Sequence, residues 1–209
     1  MLKEMVKKAG EEIATALSCA KNPFFCVSGG KNSLVLLHIA KERVGPALKV
    51  LHINTGVEFV HVAPYLARQR KTWGFSLTTT GPAQGRGEPG VVREECCSDR
   101  KRRPLKEAVR EHGIDCLLTG VCQGTDPCTV AVFREIPGCR VIAPLMPLSD
   151  HDVWEYIISH ALTPCSLYDE GYSHIECVPC AVLSQDDRPL DSGGEETLMR
   201  ARMKSLGYF

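Results

Sequence analysis

The chain has 209 residues, 44% of them hydrophobic, so it can bury one core of ordinary size and lacks the length for two full domains. Lysine plus arginine equals aspartate plus glutamate at 25 each, so no overall positive field exists to hold a nucleic acid; such a contact would need a local patch or a partner protein. The opening MLKEMVKKAGEEIATAL is charged throughout, unlike a signal peptide, and no apolar run approaches a membrane span, which predicts a cytoplasmic protein without membrane contact.

Residues 2–19 place Leu2, Met5, Val6, Ala9, Ile13, Ala16 and Leu17 at helical spacing, predicting a surface helix with one buried face. PFFCV predicts a short strand, SGGKNS a small-residue turn, and LVLLHIAKERVG a helix stopped by Gly45 and Pro46. LKVLHI predicts a second strand, NTG a turn, and FVHVAPYLARQRKTWG a helix with Pro64 in its first turn. FSLTTT predicts a third strand, and residues 81–94, rich in glycine and proline, a long loop. SDRKRRPLKEAVREHG reads as a helix, DCLLTG as a strand, and TVAVFREIPGCRVIAPL as two strands joined at Pro137 and Gly138. HDVWEYIISHAL predicts a helix capped by Ser149 or Asp150; beyond it the chain is irregular through ECVPC, then polar, then partly helical. Strands alternating with helices predict an α/β fold, a mostly parallel sheet with helices on both faces, spanning 1–183 as one domain with 184–209 as a tail. Ligands of such sheets bind beyond the carboxyl ends of the strands.

Ser28, Gly29, Gly30, Lys31, Asn32 and Ser33 fall where the first strand ends and a helix begins, so backbone N–H groups and the positive helix end face one spot, a place for an anion. The glycines let a phosphate approach closely, Lys31 adds charge, and the Ser28 and Ser33 hydroxyls can donate. Asn54, Thr55 and Gly56 form a second turn at the same sheet end, and Thr119 with Gly120 ends a further strand there. His38, His52 and His61 lie near these turns and read as structural.

Eleven cysteines, an odd count scattered along the chain, do not form a disulfide framework pattern and point to metal or redox use. Cys19, Cys26, Cys116 and Cys139 sit in apolar or strand-like settings and read as core. Cys96 with Cys97, and Cys177 with Cys180, offer four soft ligands; spacing alone suits tetrahedral zinc and an iron–sulfur cluster equally. Adjacent cysteines diverge on a regular helix or strand, so Cys96 and Cys97 can share one centre only on unusual backbone. A disulfide relay or plain core packing is the remaining alternative.

SGGKNS resembles the PP-loop, SGGKDS, of ATP pyrophosphatases and sulfonucleotide reductases. ECCSDRKRRPL and PLSDHDVWEYIISHALTPCSLYDEGYSHIECVPC are similar to the two cysteine-bearing segments of adenosine-phosphosulfate reductases. With NTGVEF, the resemblance to the phosphoadenosine-phosphosulfate/adenosine-phosphosulfate reductase family runs from about Phe24 to Cys180. It implies an adenine nucleotide alpha-hydrolase-like, Rossmann-like fold, with Cys96, Cys97, Cys177 and Cys180 as ligands of a 4Fe-4S cluster and Arg100 and Lys101 as the basic pair beside cluster and substrate. Lys31, Arg100 and Lys101 become the catalytic set. The family's Asp is Asn32 in the first turn and Asn54 in the second, which removes hard oxygen ligands that Mg²⁺ would use beside a nucleotide. Arginines that relatives place after Thr119-Gly120 to hold sulfate or phosphate are absent. No cysteine follows Cys180 in this sequence, whereas such reductases attack sulfur with a C-terminal thiol; either a longer chain carries it, or another thiol such as Cys122, Cys128 or Cys165 serves, or the reaction differs. The leading expectation is an ATP-using activator that adenylates an acceptor, releases pyrophosphate and takes sulfur from a donor such as a cysteine desulfurase, as in DNA phosphorothioation or tRNA thiolation. The alternatives are reduction of adenosine phosphosulfate or its 3'-phosphorylated form to sulfite with a thioredoxin-like reductant, and a nucleotide-binding subunit without turnover.

Overall fold

A computed structural model describes residues 1–81, 93–175, 177, 178 and 180. Helix α1 (Leu2–Cys19) leads into β1 (Pro23–Val27), α2 (Lys31–Val44), β2 (Lys49–Ile53), α3 (Val62–Trp73) and β3 (Ser76–Thr80). A short helix α4 (Arg93–Cys97) runs through a π-helical turn (Ser98–Arg102) into α5 (Arg103–His112), then β4 (Cys116–Thr119), α6 (Pro127–Val132), β5 (Arg140–Ile142) and α7 (Asp150–Ser159). The five strands pair in parallel throughout, in the order β3-β2-β1-β4-β5.

Alternation along each strand divides the core into two layers. Phe25, Val27, Val50, Cys116 and Leu118 face α1, α2, α3 and α7, with Ile13, Leu36, Leu66 and Trp154 among the residues closing that side. Phe24, Cys26, Leu51 and Leu117 point the other way, onto Leu105, Ala108 and Val109 of α5 and Val132 of α6. Central strands buried on both faces explain the unbroken apolar runs PFFCV and CLL. β3 at one edge carries three threonines and is only partly buried.

Residues 129–145 depart from the expected pair of strands. Only Arg140–Ile142 is a strand; the first half is helix α6. The Asp126 side chain accepts from the Thr129 N–H at 3.0 Å and Pro127 opens the first turn, so a local cap overrides the β-branched run that suggested a strand. The helix expected over 98–113 forms, but opens as a π turn before tightening at Arg103. Ser149 closes a capping box with Asp152 at the start of α7. Cys26 and Cys116 are buried as expected and Cys139 partly so, whereas Cys19, in the last turn of α1, is exposed because the helix turns that position away from its buried stripe. The expected tail at 184–209 and most of the expected 81–94 loop lie outside the described residues.

Candidate nucleotide and thiolate site

The strand order reverses between β1 and β4, so the loops leaving those two strands, Ser28–Ser33 and Gly120–Thr125, flank the crevice where sheets of this kind bind ligands. Gly29 adopts φ +84°, and a Cβ there would also meet the Val62 side chain at 3.1 Å. Gly120 is held for a different reason: its Cβ would meet the Asn32 carbonyl carbon at 3.0 Å and the Ser33 nitrogen at 3.1 Å, so β4 packs directly on the first turn of α2. Ser33 Oγ accepts from the Ser28 N–H at 3.1 Å, and the two hydroxyls lie 3.2 Å apart, closing the loop on itself. Gly30 precedes helix α2 as its N-cap and makes no side-chain cap.

Lys31 makes its contacts with α7 and with the segment after it. Its side chain is buried, and its ammonium donates to the Ser173 carbonyl at 2.6 Å, lies 3.0 Å from Asp150 and 3.4 Å from His174 Nδ1, and sits 5.4 Å from the ring centres of Trp154 and Tyr168. The Lys31 N–H donates to the Tyr168 hydroxyl at 2.8 Å. The lysine therefore fastens the loop to α7 and to the segment entering Cys177. Asn32 turns toward β4 and donates through Nδ2 to Cys122 Sγ at 3.0 Å, while its Oδ1 is buried without a hydrogen-bond partner. Burial raises the Cys122 thiol above its ordinary range, and hydrogen bonds from Thr125 and Asn32 oppose that only in part.

The second turn joins the two halves of the site. Asn54 Oδ1 accepts from the Gly56 N–H at 2.8 Å, a local turn that holds Gly56 at φ +75°. Thr55 is buried; its carbonyl accepts from Arg100 at 3.0 Å, and its hydroxyl lies 3.2 Å from Cys177 Sγ. The Val178 N–H donates to the Val57 carbonyl at 2.9 Å, pinning the second cysteine segment to the same loop. Cys97, Cys177 and Cys180 are buried and Cys96 partly so. Burial pushes the Cys97 thiol up to about 11; Lys101 acts in the opposite direction, and Cys180, Cys128 and Cys177 lie near enough to influence it. Cys96 and Cys97 close α4 just where the backbone widens into the π turn, the irregularity that adjacent ligands require.

Thr119 is buried at the end of β4, but its hydroxyl donates to the Ile142 carbonyl at 3.4 Å, so it braces the sheet. Cys165 lies in the core near Tyr65. Three pairings were not read from the sequence, although the residues lie in the segments that carry the resemblance: Asp150 and Tyr168, which hold Lys31, and Glu58, which lies 3.1 Å from His52. A lysine in a glycine loop reads as a ligand contact, and only the packing of α7 beside α2 shows where it goes.

The family described as phosphoadenosine phosphosulfate reductase domain matches residues 22–183. Adenosine 5'-phosphosulfate reductase of Geobacillus thermodenitrificans (strain NG80-2) is 27% identical over 187 residues, covering 81% of this chain and 77% of that protein. Sulfate adenylyltransferase subunit 2 of Shewanella frigidimarina (strain NCIMB 400) is 25% identical over 225 residues, covering 90% and 74%. The phosphoadenylyl-sulfate reductase of Candida auris, solved as a phosphate complex, superposes with a TM-score of 0.67 at 19% identity over 85% of this chain and 94% of that one, which shows the same fold. A PP-loop at the sheet switch point, two cysteine segments brought against the second turn, and a family match across more than three quarters of the sequence agree: the chain belongs to the phosphoadenosine phosphosulfate reductase domain family, among the PP-loop enzymes of the sulfonucleotide reductase and ATP pyrophosphatase type.

Proposed function

We propose that this chain reduces adenosine 5'-phosphosulfate to sulfite. The observation that carries the reading is the junction at Thr55, where the second turn touches both Cys177 and Arg100, so that thiolates and positive charge meet the end of the nucleotide crevice. The α-phosphate sits at the start of α2, and the sulfonate extends toward Arg100 and Lys101, whose cations favour a dianionic group there. A thiol sulfur attacks the sulfonate sulfur, the bond from that sulfur to the phosphate oxygen breaks, and AMP leaves with its electron pair. A second thiol then attacks the S-sulfonated sulfur and releases sulfite as a disulfide forms, the two electrons coming from a thioredoxin-like dithiol. Of the chain's thiols outside the quartet, Cys122 faces Asn32 in the crevice and Cys128 lies near Cys97.

Cys96, Cys97, Cys177 and Cys180 would hold a 4Fe-4S cluster. When bound, that group supplies a redox-capable, polarisable centre beside the sulfonate end of the substrate. Four thiols suit tetrahedral zinc as well; what supports the cluster is the resemblance of both cysteine segments to those of adenosine-phosphosulfate reductases. The Lys101 charge beside Cys97 offsets part of the negative charge of a thiolate cluster.

A second reading, adenylation of an acceptor with pyrophosphate release, draws on the coverage of the sulfate adenylyltransferase subunit, 90% of this chain. Asn32 and Asn54 in place of carboxylates weigh against the Mg²⁺ that such chemistry uses. Protein purified without oxygen and incubated in parallel with adenosine 5'-phosphosulfate plus a dithiol reductant, and with ATP plus Mg²⁺, separates the two. Sulfite from the first mixture is expected. Pyrophosphate from the second with no sulfite from the first would overturn the reductase reading.

A further inference from the structure

His52 is buried at the end of β2, in register with Val27, the last residue of β1 before the PP-loop. Its Nδ1 lies 2.9 Å from the Val27 carbonyl oxygen and its Nε2 lies 3.1 Å from Glu58 Oε2. A carbonyl oxygen only accepts, and so does an ionised carboxylate, so both ring nitrogens must carry protons. The other way to satisfy the pair, a neutral ring with a protonated Glu58, moves the proton to a group whose ordinary pKa is about two units lower. Burial works against a charged ring, but the hydrogen bond and charge of Glu58, aided by the Val27 carbonyl, outweigh it and hold His52 above its ordinary value. Glu58 is the charged group that faces it among the described residues.

We propose that His52 is a buried imidazolium that positions the two nucleotide turns against each other. Its Nδ1–H holds the carbonyl that leads directly into Ser28, and its Nε2–H holds the side chain that follows Asn54–Gly56, so one rigid ring sets the width of the crevice entrance. It also leaves a fixed positive charge beneath the place where an anion binds. His52 touches no substrate and acts through the loops. Only the effect on anion affinity rests on the nucleotide reading of the site; the charge and the bracing do not.

Full-length protein carrying ¹⁵N-labelled histidine, purified without oxygen, tests the charge by two-bond ¹H–¹⁵N correlation. At pH 7 the His52 ring should show both nitrogens protonated, and Glu58→Gln should move its titration to lower pH. A neutral tautomer in the native protein would overturn the proposal. The bracing is read by amide hydrogen exchange: His52→Gln, and more weakly Glu58→Gln, should speed exchange at residues 28–31 and 54–58 while leaving α1 unchanged. Native-like exchange at both turns in both variants would also overturn it. Binding of ATP and of adenosine 5'-phosphosulfate should weaken about five- to ten-fold as pH rises through the His52 titration and become flat with pH in His52→Gln. If neither nucleotide binds the native protein, the proposed function fails while the charge and exchange results still decide the role of His52.

Discussion

At the scale of single residues, the lysine of the PP-loop changes meaning once its surroundings are known. Its ammonium is enclosed with Asp150, the Ser173 carbonyl and two aromatic rings, so Lys31→Ala removes one member of a largely buried ion pair. The expected cost is about 2–4 kcal/mol of folding stability, less than a fully buried pair because Asp150 is partly exposed. Urea unfolding of Lys31→Ala beside Asp150→Asn checks this; a loss of nucleotide affinity at native stability would show instead that the lysine serves the ligand alone. Asn32 offers a second residue-level test. Asn32→Asp exchanges an N–H donor to Cys122 for a carboxylate beside a buried thiol and near the proposed anion place. It should cost about 1 kcal/mol in stability and slow sulfite formation through weaker substrate binding. Faster Mg²⁺-dependent pyrophosphate release in the same variant would favour the adenylating reading.

Single elements carry the next set of consequences, because the crevice depends on how closely β4 and α2 approach. Gly120→Ala places a methyl group against the backbone of Asn32 and Ser33, which cannot yield as a side-chain tip could. The start of α2 must shift, at an expected cost of about 1–3 kcal/mol and with weaker anion binding, measurable by thermal unfolding and by nucleotide titration. Unaltered values for both would mean that the contact relaxes without moving the loop. At α7 the capping box does a simpler task. Ser149 Oγ accepts from the Asp152 N–H and Asp152 accepts from the Ser149 N–H. Ser149→Ala should therefore lower stability by about 1 kcal/mol, and because α7 carries Asp150 it should loosen the grip on Lys31 as well.

Across the whole molecule, the candidate thiolate site joins parts of the chain that are far apart in sequence. Cys97 ends α4, whereas Cys177 and Cys180 follow α7 and are held to the loop after β2 through Thr55 and Val57. A group bound by all four cysteines would tie these regions together, and its binding energy would add to folding stability. Protein prepared without oxygen should carry about four iron and four sulfide per chain. Cys177→Ser should lose most of that iron and melt at lower temperature, whereas stoichiometric zinc without iron in the native protein would refute the cluster assignment. Among the described residues no helix is long and apolar enough to cross a membrane.

The sequence by itself determined the elements whose signals are local. Apolar runs bounded by turns located all five strands, Ser149 or Asp150 was legible as the cap of α7, and the glycine loop after β1 reads as a place for an anion because strand, turn and helix are contiguous there. The first half of 129–145 misled because β-branched residues favour a strand while the Asp126-Pro127 cap, equally present in the sequence, favours a helix. What only the tertiary structure decided are the pairings across long separations: Lys31 with Asp150, Asn32 with Cys122, His52 with Glu58 and Val27, and Cys177 with Thr55. Periodicity reports which face of an element is buried but not which distant group waits there, and buried polar side chains take their roles from those partners.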